Sequence, residues 1–461
     1  MYRRLERIEG WIGPVGPAPL SRIALIGNAL PRRCGLATYT SHVFDALQER
    51  FPALRIDLYA MNDPGRSYDY PDTVAGTIRQ DRVEDYQRAA DWIEASGAEL
   101  VWVQHEFGIF GGPAGAHLLP LLERLTIPVA VTLHSVIDLP SEEQRAVMDR
   151  LIHCSSRLIV MAEKGRAILG VIYGVPDRKI AVIPHGVPDR PFISSALAKP
   201  DFGLAGRKVL LTFGLLSPNK GIETMIEAMP AILAAHPDAE YVVVGATHPH
   251  LVSHEGERYR NGLKELTDRL GVSARVRWVD RFLDQEDLLD LIAAADIYIT
   301  PYLDLKQITS GALCYAVALG KPVVSTPYHH AAEIIGPDNG ILAGPGEPDA
   351  FAAAVCTMLG DEPLRLRMAQ SAYALGRTMV WRRNVEAAMA EFAACTAALP
   401  RSSRALICVS GEAVELDARQ KRIIDYRLVH AGAYPPYFNS IFEESTHQAR
   451  RPVEQPASEA S

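Results

Sequence analysis

The sequence predicts an α/β protein: two doubly wound, Rossmann-like parallel sheets in tandem, followed by a C-terminal appendix. Three observations predict it. Short β-branched runs alternate with helical patterns of about 10–15 residues, which implies parallel strands covered on both faces by their crossover helices. The alternation occurs twice, and a Pro-, Ala- and Ser-rich stretch without periodicity, His185–Phe202, separates the two runs. At 461 residues the chain is too long for one ordinary domain.

Residues 1–20 carry Gly13, Pro14, Gly16, Pro17 and Pro19 and read as a flexible leader. Strands are expected at Arg22–Gly27, Arg55–Ala60, Leu100–Gln104, Val129–Leu133, Arg157–Met161 and Ile180–Ile183, with helices at Leu36–Arg50, 82–96, 114–125, 141–152 and 163–170 between them. These make a first domain over 21–190, and a linker follows at 191–205. The second domain, 206–375, has expected strands Val209–Phe213, Glu240–Val244, Arg275–Trp278, Asp296–Thr300 and Pro322–Ser325. Its helices fall at 221–235, 256–269, 285–294, 309–319, 348–359 and 363–375. Residues 376–400 follow, with Trp381–Ala398 helical. An extension over 401–461 carries a strand-like Ala405–Val409, a charged helix around 412–430 and a polar, disordered end.

Composition narrows the function. A net charge of −8 argues against broad nucleic-acid binding, which needs a basic face. No run of 18 apolar residues predicts a membrane-spanning helix, and the start, Met1-Tyr-Arg-Arg-Leu-Glu-Arg, lacks the apolar core of a signal peptide. The six cysteines are scattered without CxxC pairs and read as reduced thiols of a cytoplasmic protein.

The most informative stretch is Gln307-Ile-Thr-Ser-Gly-Ala-Leu-Cys-Tyr-Ala-Val-Ala-Leu-Gly-Lys-Pro322. It lies between two strands, and Ser310-Gly311 opens a short apolar helix. A helix whose first turn is small and uncharged offers free N–H groups and a dipole that favours an anion, at the sheet edge where open α/β folds bind ligands. Lys220, at the end of Phe213-Gly-Leu-Leu-Ser-Pro-Asn-Lys220, stands before another helix; it is either a phosphate partner or a solvated loop lysine. His134 and His105 follow the strands Val129–Leu133 and Leu100–Gln104. They either line a cleft, with Glu106 and Phe107 supplying a carboxylate and a ring face suited to a sugar, or serve as hinge and capping residues. Pro31-Arg-Arg-Cys-Gly-Leu-Ala-Thr38 is not GxGxxG, so a nicotinamide dinucleotide is poorly supported; Gly35 either lets the backbone approach an anion or makes a tight turn. Glu333 follows another strand end. The adjacent His329 and His330 are poor metal ligands, because neighbours in sequence rarely aim at one ion, and no Asp-x-Asp stands at a strand end to hold a magnesium–diphosphate.

Taken together these residues resemble a retaining glycosyltransferase of the GT-B fold, family 4 (group 1). Tyr315-Ala-Val-Ala-Leu-Gly-Lys-Pro-Val-Val324 is similar to the second half of that family's Glu-x7-Glu donor motif. Asp296–Pro301, Phe213–Gly221, Val182-Ile-Pro-His-Gly-Val187, Gly340-Ile-Leu with Pro345-Gly346, and Trp381 fall in the family's order over residues 22–395. Two departures stand out: Gln307 and Tyr315 occupy the two glutamate positions, and Leu215 takes the place of the arginine in Arg-x4-Lys, leaving Lys220.

The resemblance implies that the two domains face each other across a cleft and that residues 376–400 cross back onto the first domain. It implies a metal-independent hexosyltransferase with no cofactor, using a GDP- or UDP-hexose donor and a saccharide, glycolipid or other hydroxyl acceptor. It implies no nucleic-acid partner and leaves open a peripheral membrane contact and the oligomeric state. It further implies that His134 contacts the donor sugar, Gln307 its hydroxyls and Tyr315 the ribose, that Lys220 and the amides near Ser310-Gly311 neutralise the departing diphosphate, and that Gly35 and Glu333 lie on the donor side. His105, Glu106 and Phe107 would border the acceptor. Two alternatives stay open: a sugar-phosphate phosphorylase on the same fold, and a non-catalytic nucleotide-sugar-binding protein.

Overall fold

The computed structural model describes residues 19–397, 406–409 and 412–415. The described residues up to Ala397 belong to one compact unit. Its first sheet has seven parallel strands, β1 (Arg22–Gly27), β2 (Arg55–Asn62), β3 (Val74–Arg79), β4 (Leu100–His105), β5 (Val129–Leu133), β6 (Arg157–Val160) and β7 (Ile180–Val182), in the order β3-β2-β1-β4-β5-β6-β7. Helices α1 (Gly35–Arg50), α2 (Val83–Ser96), α3 (Leu118–Arg124), α4 (Glu142–Cys154) and α5 (Glu163–Tyr173) connect them. A short α6 (Ser195–Ala198) leads to the second sheet of six parallel strands: β8 (Lys208–Phe213), β9 (Ala239–Val244), β10 (Val276–Val279), β11 (Ile297–Thr300), β12 (Val323–Ser325) and β13 (Gly340–Leu342), ordered β10-β9-β8-β11-β12-β13. Its helices are α7 (Ile222–Ala235), α8 (Pro249–Glu255), α9 (Arg258–Arg269), α10 (Gln285–Ala294), α11 (Gly311–Ala318), α12 (His329–Ile334), α13 (Pro348–Gly360) and α14 (Glu362–Gly376), and α15 (Trp381–Ala397) follows.

Central strands buried on both faces read as unbroken apolar runs, and β4, β5 and β9 are buried at every residue. Local chemistry sets several helix starts. Ser141 and Gln144 form a reciprocal capping box on α4, and Asp284 accepts from the Asp287 N–H at the head of α10.

The crossing helix owes its path to its apolar face. Trp381, Val385, Ala388, Met389 and Phe392 are buried with Ile23, Leu25, Val43, Leu47 and Trp102 of the first sheet and α1. The chain enters α15 beside the segment that leaves β7: the Val187 N–H donates to Met379 O and the Trp381 N–H to Val187 O, each 3.0 Å.

The structure differs from expectation in several places, and α8, α12 and β13 were among the elements not anticipated. The edge strand β3 was not anticipated: its Gly76 and its mostly exposed side chains hide the strand pattern. The helix expected at 114–125 starts only at Leu118, because Pro113-Ala114-Gly115 form a 3-10 turn in which Ala114 has φ 49°. The expected linker contains α6 and is pinned by Asp296, which accepts from Ser195 Oγ at 2.6 Å and pairs with Lys199 Nζ at 2.7 Å. Glu412–Glu415, expected as the start of a charged helix, is a strand (β15) antiparallel to Leu406–Val409 (β14). The rest of that expected helix, the leader up to residue 18 and the polar end lie outside the described residues.

Candidate active site

In each sheet the strand order reverses at one point, between β1 and β4 and between β8 and β11, which is where open α/β sheets bind ligands. The loops at those two points face each other across a cleft of about 870 Å3. The loop and helix after β1 contribute Asn28, Arg32, Cys34, Gly35 and Tyr39, and the ends of β4 and β5 contribute Glu106, His134, Ser135 and Asp138. From the second sheet come Phe213, Lys306, Gln307, Thr309, Gly311, Ala312 and Tyr315. His185, on the segment joining the two sheets, completes the lining.

The start of α11 brings a helix N-terminus into this lining. Ser310 is its N-cap and is buried. Its N–H donates to His330 Nδ1 at 2.9 Å and its Oγ accepts from the Leu313 N–H at 3.3 Å. Ser310 therefore shapes the turn and presents no free group. The donors left over are the N–H groups of Gly311 and Ala312, the first two helical residues, which have no intrahelical acceptor. The Ser310 bond also fixes His330 with Nδ1 as acceptor, a state that burial favours by holding its pKa down at about 4.

Lys220 does not line the cleft. Its Nζ lies 3.8 Å from the centroid of the Tyr302 ring, and Tyr302 in turn reaches Ser310, so one tyrosine separates the ammonium from the α11 cap. Its position depends on Gly221, whose φ is 59° and where a Cβ would fall 2.1 Å from Pro301 O, clamping the loop after β8 to the loop after β11.

On the first-domain wall, His134 meets the Tyr39 ring edge-on at 4.7 Å, and its Nε2 lies 3.0 Å from Gln104 Oε1. Burial, and then neighbouring His185 and His105, push its pKa down to about 3, so it is a neutral hydrogen-bonding group at physiological pH. Glu106 accepts from Ser135 Oγ at 2.5 Å and from the Phe107 N–H at 3.0 Å; burial raises its pKa against the pull of those bonds. Gly35 opens α1 with nothing within 4 Å of the place a Cβ would take, so its backbone is open to a ligand. Gln307 lines the opposite wall, its Nε2 tied to Thr309 O at 2.8 Å and its Oε1 remaining as an acceptor.

Besides Lys220, four expected site residues are placed differently from expectation. His105 is fully buried, stacked on Phe110 at 5.7 Å, with neither ring nitrogen hydrogen-bonded, and Phe107 is buried beside it. Side chains alternate at a strand's end, and where Glu106 turns to the cleft its two neighbours turn to the core. Glu333 lies outside the cleft: its carboxylate accepts from the N–H groups of Glu163 at 2.8 Å and Lys164 at 3.2 Å, capping α5 of the first domain, whose own N-cap, Ala162, supplies no side-chain bond. Tyr315 lines the cleft, but its hydroxyl is 3.2 Å from His42 Nδ1 on α1, a contact between the two walls rather than a free ribose ligand.

Sequence reasoning did not single out Tyr39, His42 or His185. Tyr39 and His42 read as ordinary positions of an amphipathic helix. Only the convergence of α1, the end of β5 and the connecting segment puts Tyr39 at the centre of a cluster with His134, His185 and Trp381, all within 5.0 Å centroid to centroid. Asp138 and Lys306 also escaped notice; they form an ion pair of 3.3 Å across the cleft mouth. Among the described residues no group of three or more His, Cys, Asp or Glu side chains is placed to hold a metal ion, and no helix is long and apolar enough to cross a membrane.

Two facing doubly wound sheets, a cleft at their switch points and a helix crossing back define the GT-B fold. The chain matches the family model described as Glycosyltransferase Family 4 over residues 34–190 and that of Glycosyl transferases group 1 over residues 207–361. It belongs to that family of glycosyltransferases.

Among its relatives is a D-inositol 3-phosphate glycosyltransferase of Nocardiopsis dassonvillei, 28% identical over 294 residues, or 61% of this chain and 67% of the relative. A GDP-mannose-dependent monoacylated alpha-(1-6)-phosphatidylinositol monomannoside mannosyltransferase of Corynebacterium glutamicum is 31% identical over 159 residues, 32% of this chain and only 37% of that relative. Among solved structures, the sucrose-phosphate synthase of Thermosynechococcus elongatus superposes with a TM-score of 0.66 at 18% identity, covering 82% of this chain and all of that one. HepE of Anabaena, in complex with UDP and glucose, gives 0.63 at 17%, covering 80% of this chain and 98% of that one. At such identities these structures share the fold.

Proposed function

We propose that the protein is a retaining, metal-independent glycosyltransferase that moves a hexose from a nucleotide sugar to a saccharide or other hydroxyl acceptor. The observation that carries this reading is the pair of uncommitted amides, Gly311 and Ala312, opening onto a cleft whose far wall presents Gly35, His134 and Glu106. The diphosphate would settle on the amides, with Lys220 close behind through Tyr302, at the place where negative charge develops as the glycosidic bond breaks. His134 and Gln307 flank the cleft as neutral hydrogen-bonding groups suited to sugar hydroxyls. Charge neutralisation by protein groups leaves a metal ion no necessary role. The acceptor hydroxyl would approach on the face the diphosphate leaves, which retains the anomeric configuration without an enzymic nucleophile.

The UDP in HepE and the GDP-mannose in the name of the Corynebacterium relative make UDP- and GDP-hexoses the donors to try first. The test is release of free nucleoside diphosphate from that panel, with saccharide acceptors and excess chelator, and NMR of the product's anomeric configuration. Turnover in chelator with retained configuration is the expected result. Abolition by chelator with rescue by magnesium or manganese, or an inverted product, would overturn the mechanism; binding without turnover would leave a sugar-nucleotide-binding protein.

A further inference from the structure

His185 has no role in the reading above, yet it stands beside the phosphate seat. Its Nδ1 lies 2.8 Å from the Gly186 carbonyl oxygen and must donate to it, which leaves Nε2 as the ring nitrogen without a proton. That nitrogen points to the first residue of α11: a Cβ on Gly311 would fall 2.8 Å from it. An anion held by the Gly311 and Ala312 amides would therefore meet an imidazole lone pair. A lone pair against a phosphate oxygen is repulsive, whereas the same nitrogen carrying a proton makes a charge-assisted hydrogen bond.

We propose that His185 is a second donor to the leaving diphosphate, neutral in the free protein and protonated at Nε2 when the phosphate settles on the α11 amides. The proposal rests on the reading of the cleft as a nucleotide-sugar site. The titratable groups around the ring are Tyr39 and His42 from α1, His134 after β5, Tyr315 from α11 and His330 from α12. None is a carboxylate, so the group that can hold a proton on Nε2 is the ligand itself. Burial keeps the free imidazole neutral, its pKa down at about 4. The sequence fits this role, since Leu215 supplies no cation to the seat.

Calorimetry of the full chain with UDP and GDP at pH 7.5, in buffers of different ionisation enthalpy, tests the proposal. At that pH the free diphosphate, with its last pKa near ~6, is ionised and adds little proton uptake of its own. Binding should take up a large fraction of one proton per site and weaken as pH rises. In His185→Asn the uptake should vanish and affinity fall by roughly five- to tenfold. Heat independent of buffer in the wild type, or unchanged uptake in the variant, would overturn the proposal while leaving the nucleotide site standing. Absence of any binding heat with nucleoside diphosphates or their sugars would take down the nucleotide-sugar reading, and this proposal with it. If His185→Asn melts before it can be titrated, the wild-type buffer series decides alone.

Discussion

Lys220 is a single charge held behind the cleft rather than in its lining. The ammonium rests on the Tyr302 ring and has no carboxylate within ion-pair distance among the described residues, so it is held in place but not neutralised. With one tyrosine between them the ammonium acts on a bound phosphate through its field, on the order of 2 kcal/mol at an effective interior dielectric of about 20, and Leu215 cannot replace it. Lys220→Ala should lower kcat/KM by roughly ten- to a few hundred-fold, at ~1.4 kcal/mol per factor of ten, with the fold intact. Wild-type kinetics in a folded Lys220→Ala protein would return Lys220 to the role of a surface lysine. The residue scale is also where the sequence was least legible. It located Gly35, Glu106, His134, Gln307, Gly311 and Tyr315 at strand ends and helix starts, and all six line the cleft. It could not tell which way a side chain turns at a strand end, hence His105 and Phe107, nor which surface a short helix meets, hence Glu333.

Elements were more legible because their signals are local. Parallel strands buried on both faces announce themselves as apolar runs, and helix starts by Ser, Asp or Gly. The edge strand β3 lacks that signal, since its pattern is set by one neighbour and by solvent. What no local pattern carries is a cap supplied from elsewhere in the chain. α5 has no cap of its own, and Glu333, 170 residues away, provides one. Glu333→Ala should cost about 1 kcal/mol, the usual worth of an N-cap, read as a lower urea midpoint, with nucleotide affinity unchanged. Lost nucleotide affinity at unchanged stability would instead place Glu333 in the donor site, as its sequence context suggested. Gly186 marks a second non-local constraint. A Cβ there would fall 2.0 Å from the Trp381 ring, so Gly186→Ala must displace the crossing helix from its seat and should destabilise by about 1–3 kcal/mol.

At the scale of the whole molecule, contacts reach from each sheet's surroundings to the other's. Tyr315 meets His42, Lys306 pairs with Asp138, Glu333 caps α5, and Ile308 is buried in the apolar cluster of the first sheet. Several of these regions rest on uncharged histidines. His105 is sealed in the first core, His134 and His185 line the cleft between the walls, and His330 holds the α11 turn, with pKa values pushed by burial from 6.5 to about 4, or about 3 for His134. The sign follows directly. A histidine whose folded pKa is depressed binds fewer protons in the native than in the unfolded state, so its contribution is complete above pH 6.5 and is lost as pH falls toward 4. For His105, which is fully buried, each unit of depression corresponds to ~1.4 kcal/mol, a contribution on the order of 3 kcal/mol; the cleft-lining histidines, reached by solvent, contribute less. Melting temperature should therefore hold between pH 8 and 6.5 and drop steeply between 6.5 and 4. His105→Phe, which keeps the ring stack on Phe110 and removes the titrating group, should flatten that drop. If the variant and the wild type lose stability in parallel over this window, acid unfolding is governed by other groups, and His105 is a packed ring whose protonation the fold does not feel.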